Sequence, residues 1–192
     1  MNVIPMKRAL AAVAVLSLSG AAASAADAPK LKGKAKRGEY LVRSMGCNDC
    51  HTPWKMGATG PEPDMTRMLS GHPSAMVMPP PPKLPEGPWM SIAAATMTAW
   101  SGPWGVSFTA NLTPDPDTGL GKWTERNFID CIRNGKVMGK GRALLPPMPW
   151  PMYRNLTDDD LKAIFAYLKA IPPLKNKVPE PISPEELQAK PK

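Results

Sequence analysis

Two cysteines and a histidine stand within five residues of one another, in the run Cys47-Asn48-Asp49-Cys50-His51. In a helix, residues i, i+3 and i+4 share one face, so both thiols and the imidazole can address one flat group. Two thiols at this spacing, followed at once by a histidine, are the attachment pattern of a covalent haem. We therefore expect Cys47 and Cys50 to form thioethers with the haem vinyl groups and His51 to ligate the iron.

Two other chemistries use a pair of cysteines at this spacing, and the rest of the chain favours neither. A zinc site needs four ligands, and the remaining Cys131 and His72 lie far from the pair in sequence. A redox-active dithiol of the thioredoxin type follows a strand, whereas residues 37–45 have the pattern of a helix. Because one haem takes two of the three cysteines, Cys131 is left single and we expect no structural disulfide.

A haem iron bound by one histidine has a second axial position, and the residue that fills it decides the chemistry. We predict Met148, because the prolines on both sides in Leu145-Pro146-Pro147-Met148-Pro149-Trp150 stiffen the backbone and hold the thioether in place. Met152, four residues later, is the nearest rival, followed by Met138. His72 would give an iron with two histidine ligands, although a single loop histidine is more often solvated.

Three stretches have the apolar periodicity of helices. The first leads into the haem motif, the second is capped by Thr124 and stopped by Gly135, and the third is capped by Thr157 and ended by Pro172-Pro173. Cys131 lies on the apolar stripe of the second helix, which indicates a small core residue and not a redox thiol. The predicted stripes are Gly38, Leu41, Val42 and Met45; Phe128, Cys131 and Ile132; and Leu161, Ile164, Phe165 and Leu168.

Between the first and second of these helices lies a long segment, residues 52–123, that is rich in Pro, Gly, Met and Trp. We expect it to be mostly irregular, with an insertion at about residues 65–104 that wraps the haem. Ser91 to Trp100 is predicted to add a short helix to this insertion. Asp115 and Asp117 lack the ligand spacing of a calcium loop and predict a Pro/Asp/Gly turn.

The N-terminus predicts export to the periplasm. Residues 1–25 run from a short basic region through an apolar stretch to Ala23-Ser24-Ala25, which is the pattern of a secretory signal peptide. Cleavage is expected after Ala25, and retention of the peptide as a membrane anchor is the alternative. The remaining chain divides into one domain at residues 26–175 and a polar, Pro-rich segment at residues 176–192, which we predict to be a flexible tail.

The chain is basic, with 24 Lys and Arg residues against 16 Asp and Glu residues. Removal of Lys7 and Arg8 with the signal peptide leaves a formal charge of +6 before the haem propionates are counted. This balance suits acidic partner proteins or an anionic membrane surface, and it is equally compatible with ordinary solubility. Export and the absence of a dense basic block argue against nucleic acid. Four lysines near the haem-binding segments are candidates for a basic docking rim: Lys55, Lys122, Lys136 and Lys140.

The same residues resemble the class I cytochromes c, and more closely the cytochrome c domains found with bacterial membrane-bound dehydrogenases. The resemblance spans roughly residues 38–173 and has three blocks: the haem motif, residues 111–124, and Met148-Pro149-Trp150 followed by residues 156–168. It implies an all-α cytochrome c fold, in which three to five short helices surround one covalent haem and the first and last helices cross. It also implies that Met148 is the distal ligand. The chain departs from this family in its long insertion and its single haem motif.

An iron with both axial positions filled has no place for oxygen or peroxide, so the protein is expected to carry single electrons. Imidazole and thioether together favour the ferrous state and raise the potential. The expected partners are redox proteins, namely a dehydrogenase, an oxidase or another cytochrome. Two alternatives stay open, a haem subunit that works only inside a dehydrogenase complex and a haem enzyme or sensor with an open sixth site. Because no catalytic acid, base or nucleophile set is recognisable, we predict no independent enzymatic activity.

Overall fold

The structure is a computed structural model that describes residues 31–84 and 86–189. The predicted signal peptide lies outside the described residues. None of the helices in this part of the chain is both long enough and apolar enough to cross a bilayer. The helices are α1 (Gly33–Ser44), α2 (Cys47–His51), α3 (Glu125–Asn134), α4 (Trp150–Tyr153), α5 (Asp158–Ala170) and α6 (Pro184–Ala189), with 3-10 turns at Met65–Arg67 and Val137–Gly139. The strands are β1 (Trp54–Gly57), β2 (Gly60–Pro63), β3 (Ile92–Ala93), β4 (Ala99–Gly102) and β5 (Gly105–Phe108).

Helices α1 and α5 cross at the centre of the hydrophobic core. Gly38 lies at the crossing, where a Cβ atom would be 1.9 Å from the carbonyl oxygen of Ala163 and 2.8 Å from Cβ of Tyr167. Only a residue without a side chain lets the two backbones come this close. The predicted stripes of these two helices are confirmed by burial of Gly38, Leu41 and Val42 on α1 and of Leu161, Ile164, Phe165 and Leu168 on α5.

The predicted ends of the second and third helices are also confirmed. The Thr124 hydroxyl accepts from the backbone N–H of Asn127 in a capping box, and Gly135 ends α3 in the left-handed conformation with φ of 63°. Thr157 caps α5 in the same way, by accepting from the backbone N–H of the third residue along. Cys131 is buried on the core face of α3, as its place on the apolar stripe predicts.

The long segment after the haem motif contains two small antiparallel sheets. Strands β1 and β2 form a hairpin, and β3, β4 and β5 form a three-stranded sheet in which Trp100 pairs with Ser107. The short helix predicted at Ser91 to Trp100 is therefore wrong. Its alanines favour a helix, but the pairing of β3 with β4 and of β4 with β5 outweighs that local preference. The all-α prediction needs the same correction, because the chain is mostly helical with some sheet and has six α-helices among its described residues.

Two residues of the segment predicted to be a flexible tail, residues 176–192, contact the rest of the domain. Asn176 is 3% exposed, and its side-chain amide donates to the carbonyl oxygens of Ser70 at 2.7 Å and His72 at 2.8 Å. Farther along, Ile182 pairs with strand β5 before α6 begins. The composition of this segment gave no sign of these contacts because one buried amide and a few backbone groups make them.

Replacement of Asn176 by Ala is expected to lower the free energy of unfolding by about 2 to 4 kcal/mol. The substitution leaves two buried carbonyl groups without a donor, and it removes the acceptor of the backbone N–H of Ser74 at 2.9 Å. Denaturant unfolding of the haem-loaded protein measures the effect. Asn155→Ala is the matched control, because the exposed Asn155 side-chain amide donates a single hydrogen bond, at the surface, to the carbonyl oxygen of Pro151. Equal losses in the two variants would contradict the structural role of Asn176.

Candidate functional site

The haem motif forms helix α2, which begins directly after α1. Gly46 lies between the two helices with φ of 72°, a left-handed conformation that glycine adopts without strain. The turn places Cys47 against the hydrophobic core, whereas Cys50 is half-buried farther along the same helix. Both thiols and the imidazole of His51 therefore lie on one short helix whose entry is fixed by Gly46.

The environment of the two thiols favours their protonated form. Burial, together with the charge of Asp49, raises the pKa of Cys47 to about 11 and also raises the pKa of Cys50. A redox-active dithiol needs a thiolate, which a positive environment and a lowered pKa provide. The surroundings of this pair therefore disfavour a redox-active dithiol.

His51 is buried, and its ring orientation is set by one hydrogen bond. Nδ1 donates to the carbonyl oxygen of Ala110 at 2.8 Å, so the proton of the neutral ring resides on Nδ1. Nε2 makes no hydrogen bond to any of the described residues. Burial lowers the pKa of His51 and favours the neutral form. A neutral ring with Nδ1 bonded to a carbonyl oxygen and Nε2 available is the arrangement of a metal-ligating histidine.

Backbone hydrogen bonds from Gly71 and His72 fix the chain next to His51 and Ala110. The N–H of Gly71 donates to the carbonyl oxygen of His51 at 2.8 Å, and the N–H of His72 donates to that of Thr109 at 3.0 Å. Gly71 has φ of 76°, and a Cβ atom on it would be 2.6 Å from the carbonyl carbon of Ala110. The sequence gives no sign of this support. The run Ser70-Gly71-His72-Pro73 is typical of a turn, but it does not show which residues the turn contacts.

Met148 is half-buried and packs against the same hydrophobic core as Cys47. The two rival methionines lie at the surface, because Met152 is 73% exposed and Met138 is 38% exposed. The backbone N–H of Met148 donates to the carbonyl oxygen of Leu145 at 3.2 Å, which closes a turn just before α4. Among the three methionines considered as ligands, Met148 is therefore the one that the fold directs towards the interior.

His72 is completely buried, which contradicts the expectation of a solvated loop histidine. Its Nδ1 lies 2.9 Å from the hydroxyl of Thr98, and its Nε2 lies 3.2 Å from the carbonyl oxygen of Met76. The carbonyl can only accept, so Nε2 carries the proton and Nδ1 accepts from the hydroxyl. Burial lowers the pKa of His72, which keeps the ring neutral. With both nitrogens engaged, His72 is a structural residue of the insertion.

Two aromatic residues outside α2 donate hydrogen bonds to the backbone within the helix and just before it. Trp54 Nε1 donates to the carbonyl oxygen of Asp49 at 3.1 Å, and the Tyr153 hydroxyl donates to that of Met45 at 2.7 Å. Burial raises the pKa of Tyr153 to about 12, so the phenol remains a donor at neutral pH. These bonds connect the haem motif to β1 on one side and to α4, close to Met148, on the other.

The four candidate lysines differ in their surroundings. Lys55 and Lys122 form ion pairs with Asp64 at 3.2 Å and Asp117 at 3.0 Å. The exposed Lys136 and Lys140, which follow α3, form no ion pair within the part of the chain that the structure describes.

The acidic residues after the strands form the predicted turn. Asp115 accepts from the backbone N–H groups of Asp117 and Thr118 and from the Thr118 hydroxyl. Its carboxylate is thereby occupied within the turn, and these bonds lower its pKa.

The residues of the site fit a covalently bound haem. Two thiols lie on one helix beside an imidazole whose Nε2 is available, and a half-buried methionine packs on the same core. The indole N–H of Trp100 is also buried without an acceptor among the described residues. Trp100 is opposite Ser107 in the sheet and so lies on the sheet face that carries the Ser107 side chain. A haem propionate is an acceptor of the kind that this donor lacks.

Comparison with known proteins agrees with this fit. A family model for cytochrome c matches residues 35–172. The chain is 30% identical over 173 residues to the cytochrome c subunit of alcohol dehydrogenase (quinone) from Gluconobacter oxydans, covering 88% of this chain and 28% of the relative. It is 31% identical over 162 residues to the gluconate 2-dehydrogenase cytochrome c subunit of Pantoea cypripedii, covering 84% of this chain and 28% of the relative. It is 28% identical over 132 residues to the fructose dehydrogenase cytochrome subunit of Gluconobacter japonicus, covering 69% of this chain and 20% of the relative.

The chain thus spans less than a third of the length of each of these three relatives. The match to the family model, in contrast, extends from α1 to the end of α5 and includes the haem motif. The protein therefore belongs to the cytochrome c family, which carries covalently attached haem c and serves electron transfer.

Proposed function

We propose that this protein is a periplasmic one-electron carrier in which Cys47 and Cys50 attach the haem and His51 and Met148 ligate the iron. The observation that carries the proposal is the state of the His51 ring. It is buried and neutral, its Nδ1 proton is bound by the carbonyl oxygen of Ala110, and its Nε2 is available. A histidine held in this way needs no rearrangement to bind a metal.

The place of Met148 supports its role as the second axial ligand. It packs on the core beside the haem motif, whereas Met152 is largely exposed and both ring nitrogens of His72 are engaged. A haem bound here supplies an iron that exchanges one electron between the ferric and ferrous states. Imidazole and thioether ligands stabilise the ferrous state and raise the potential. The role of the protein is to hold both ligands and to exclude water from the iron.

The electron donor that we propose is a dehydrogenase, and the acceptor is an oxidase or another cytochrome. The relatives support this choice, because their names describe cytochrome subunits of alcohol, gluconate and fructose dehydrogenases. Lys136 and Lys140 are both exposed after α3 and offer positive charge to an acidic partner. The signal peptide pattern of residues 1–25 supports export, and the mature charge of +6 suits association with an anionic membrane surface.

The names of the relatives also favour a second candidate function, that of a haem subunit inside a dehydrogenase complex. Co-purification separates the two candidates. A dedicated subunit is expected to elute with its dehydrogenase at physiological salt, whereas a free carrier elutes as a single chain and reduces a soluble oxidase on its own.

The spectrum of the purified protein tests the proposed ligation. Six-coordinate iron with a thioether ligand is expected to show the weak far-red band in the ferric state, and the reduced protein is expected to bind carbon monoxide slowly or not at all. The haem is expected to remain with the polypeptide after extraction with acidified acetone. Rapid carbon monoxide binding would contradict the proposal, because it requires an open sixth site and indicates a haem enzyme or sensor.

A further inference from the structure

The loop that carries Met148 has few donors of its own. Pro146, Pro147 and Pro149 have no backbone N–H, and the N–H of Met148 is used inside the loop by the carbonyl oxygen of Leu145. Between Leu145 and Pro149 the backbone can therefore form hydrogen bonds to the rest of the protein only through its carbonyl groups. Such a bond needs a donor from another element.

Ser107 provides that donor. Its hydroxyl donates to the carbonyl oxygen of Pro146 at 2.6 Å, across 39 residues of sequence. Ser107 is buried, with 8% of its surface exposed. The indole N–H of Trp104 donates to the same hydroxyl oxygen at 3.3 Å. Because the Ser107 hydroxyl oxygen accepts a hydrogen bond from Trp104, the hydroxyl proton is directed to the carbonyl oxygen of Pro146. The contact joins strand β5 to the methionine loop.

The strand that presents Ser107 is held on both of its edges. Strand β5 pairs with β4 on one side, and on the other side Val106 exchanges two backbone hydrogen bonds with Ile182, at 2.8 and 2.9 Å. Gly105 permits this approach, since a Cβ atom there would be 2.1 Å from the carbonyl oxygen of Ile182. A hydroxyl on a strand paired at both edges is better fixed than one on a loop.

The same strand leads directly to the support of His51. Two residues after β5 comes Ala110, whose carbonyl oxygen accepts the Nδ1 proton of His51. One extended segment, residues 105–110, thus contacts the histidine on one side of the site and the methionine loop on the other. The relative position of the two axial ligands depends on this segment.

We propose that Ser107 is a positioning residue for the distal ligand, and that through Pro146 its hydroxyl keeps the Met148 thioether where it binds the iron. This inference rests on the proposed function, in which Met148 is that ligand. It assigns a role to the three-stranded sheet of β3, β4 and β5, which acts as the support of the methionine loop. Without the Ser107 hydroxyl, the Met148 thioether is away from the iron in a larger fraction of the molecules. An external ligand then binds the iron with higher apparent affinity.

Imidazole binding to the ferric holoprotein tests the proposal. Ser107→Ala is expected to raise the affinity for imidazole by about three- to tenfold, the range for one hydrogen bond, and to lower the reduction potential. Ser107→Thr keeps the hydroxyl and is expected to restore both values. Ser101→Ala is the matched control, because Ser101 adjoins Trp100 on β4 and so lies on the opposite face of the same sheet. It is expected to leave imidazole binding unchanged.

The outcomes separate this inference from the proposed function. If Ser107→Ala lowers only the free energy of unfolding and leaves imidazole affinity and potential as in the wild type, Ser107 is merely structural and the inference is wrong. If Met148→Ala retains the far-red band, the ligand assignment itself is wrong. Should Ser107→Ala not accumulate, Ser107→Cys supplies a weaker donor and is expected to give an intermediate affinity. An affinity equal to that of the wild type in this variant would also overturn the inference.

Discussion

Met148→Ala is expected to abolish the far-red absorption band and to open the sixth position of the iron. In the wild type, an external ligand binds only in the fraction of molecules whose methionine has left the iron. If that fraction is about 1%, removal of the methionine raises the affinity for imidazole or carbon monoxide about a hundredfold. The reduction potential is expected to fall at the same time, because a thioether ligand stabilises the ferrous state. Absorption spectroscopy, ligand titration and potentiometry measure the three effects.

Met152→Ala is the matched control for this experiment. Met152 is four residues away on α4 and is 73% exposed, so its removal changes little packing. We expect the spectrum, the ligand affinity and the potential of this variant to match those of the wild type. A far-red band that survives in Met148→Ala and disappears in Met152→Ala would transfer the ligand role to Met152.

Gly38→Ala is expected to lower the free energy of unfolding by about 3 kcal/mol. The added Cβ atom would lie 1.9 Å from the carbonyl oxygen and 2.5 Å from the carbonyl carbon of Ala163. Both are backbone atoms of α5, so no side-chain rotation relieves the overlap and the two helices must separate. Since α1 leads into the haem motif, their separation also disturbs the packing of Cys47.

Denaturant unfolding of the haem-loaded protein, followed by far-ultraviolet circular dichroism, measures this loss. Lys36→Ala is the control, because Lys36 lies two residues away on the exposed face of α1 and alanine is a good helix former. We expect a change of less than about 0.5 kcal/mol for this variant. A Gly38→Ala protein as stable as the Lys36→Ala protein would show that the helix crossing can adjust at little expense in free energy.

The three long helices could be predicted because their signals are local. Thr124 and Thr157 are good N-caps, Gly135 can adopt the left-handed conformation that ends α3, and the apolar residues recur at helical spacing. Each of these signals lies within a few residues of the element that it defines. The structure agrees with all three helices for the same reason.

The insertion and the C-terminal segment could not be predicted in the same way. The pairing of Val106 with Ile182 joins residues that are far apart in sequence, and the pairing of Trp100 with Ser107 competes with the helical preference of the alanines before it. Nothing near Asn176 indicates that its amide meets the carbonyl groups of Ser70 and His72 more than 100 residues earlier. Periodicity within a short window detects neither kind of contact.

The sequence by itself determined the chemistry of this protein, because the spacing of Cys47, Cys50 and His51 is a property of one helical turn. It also pointed to Met148, through the prolines that surround it. Only the tertiary structure decided how the ligands are held, since the acceptor for His51 and the donor for the methionine loop both come from residues 105–110, more than 50 residues after the haem motif. Hydrogen bonds between segments so distant in sequence form only when the fold is complete. They therefore leave no local pattern in the amino-acid sequence.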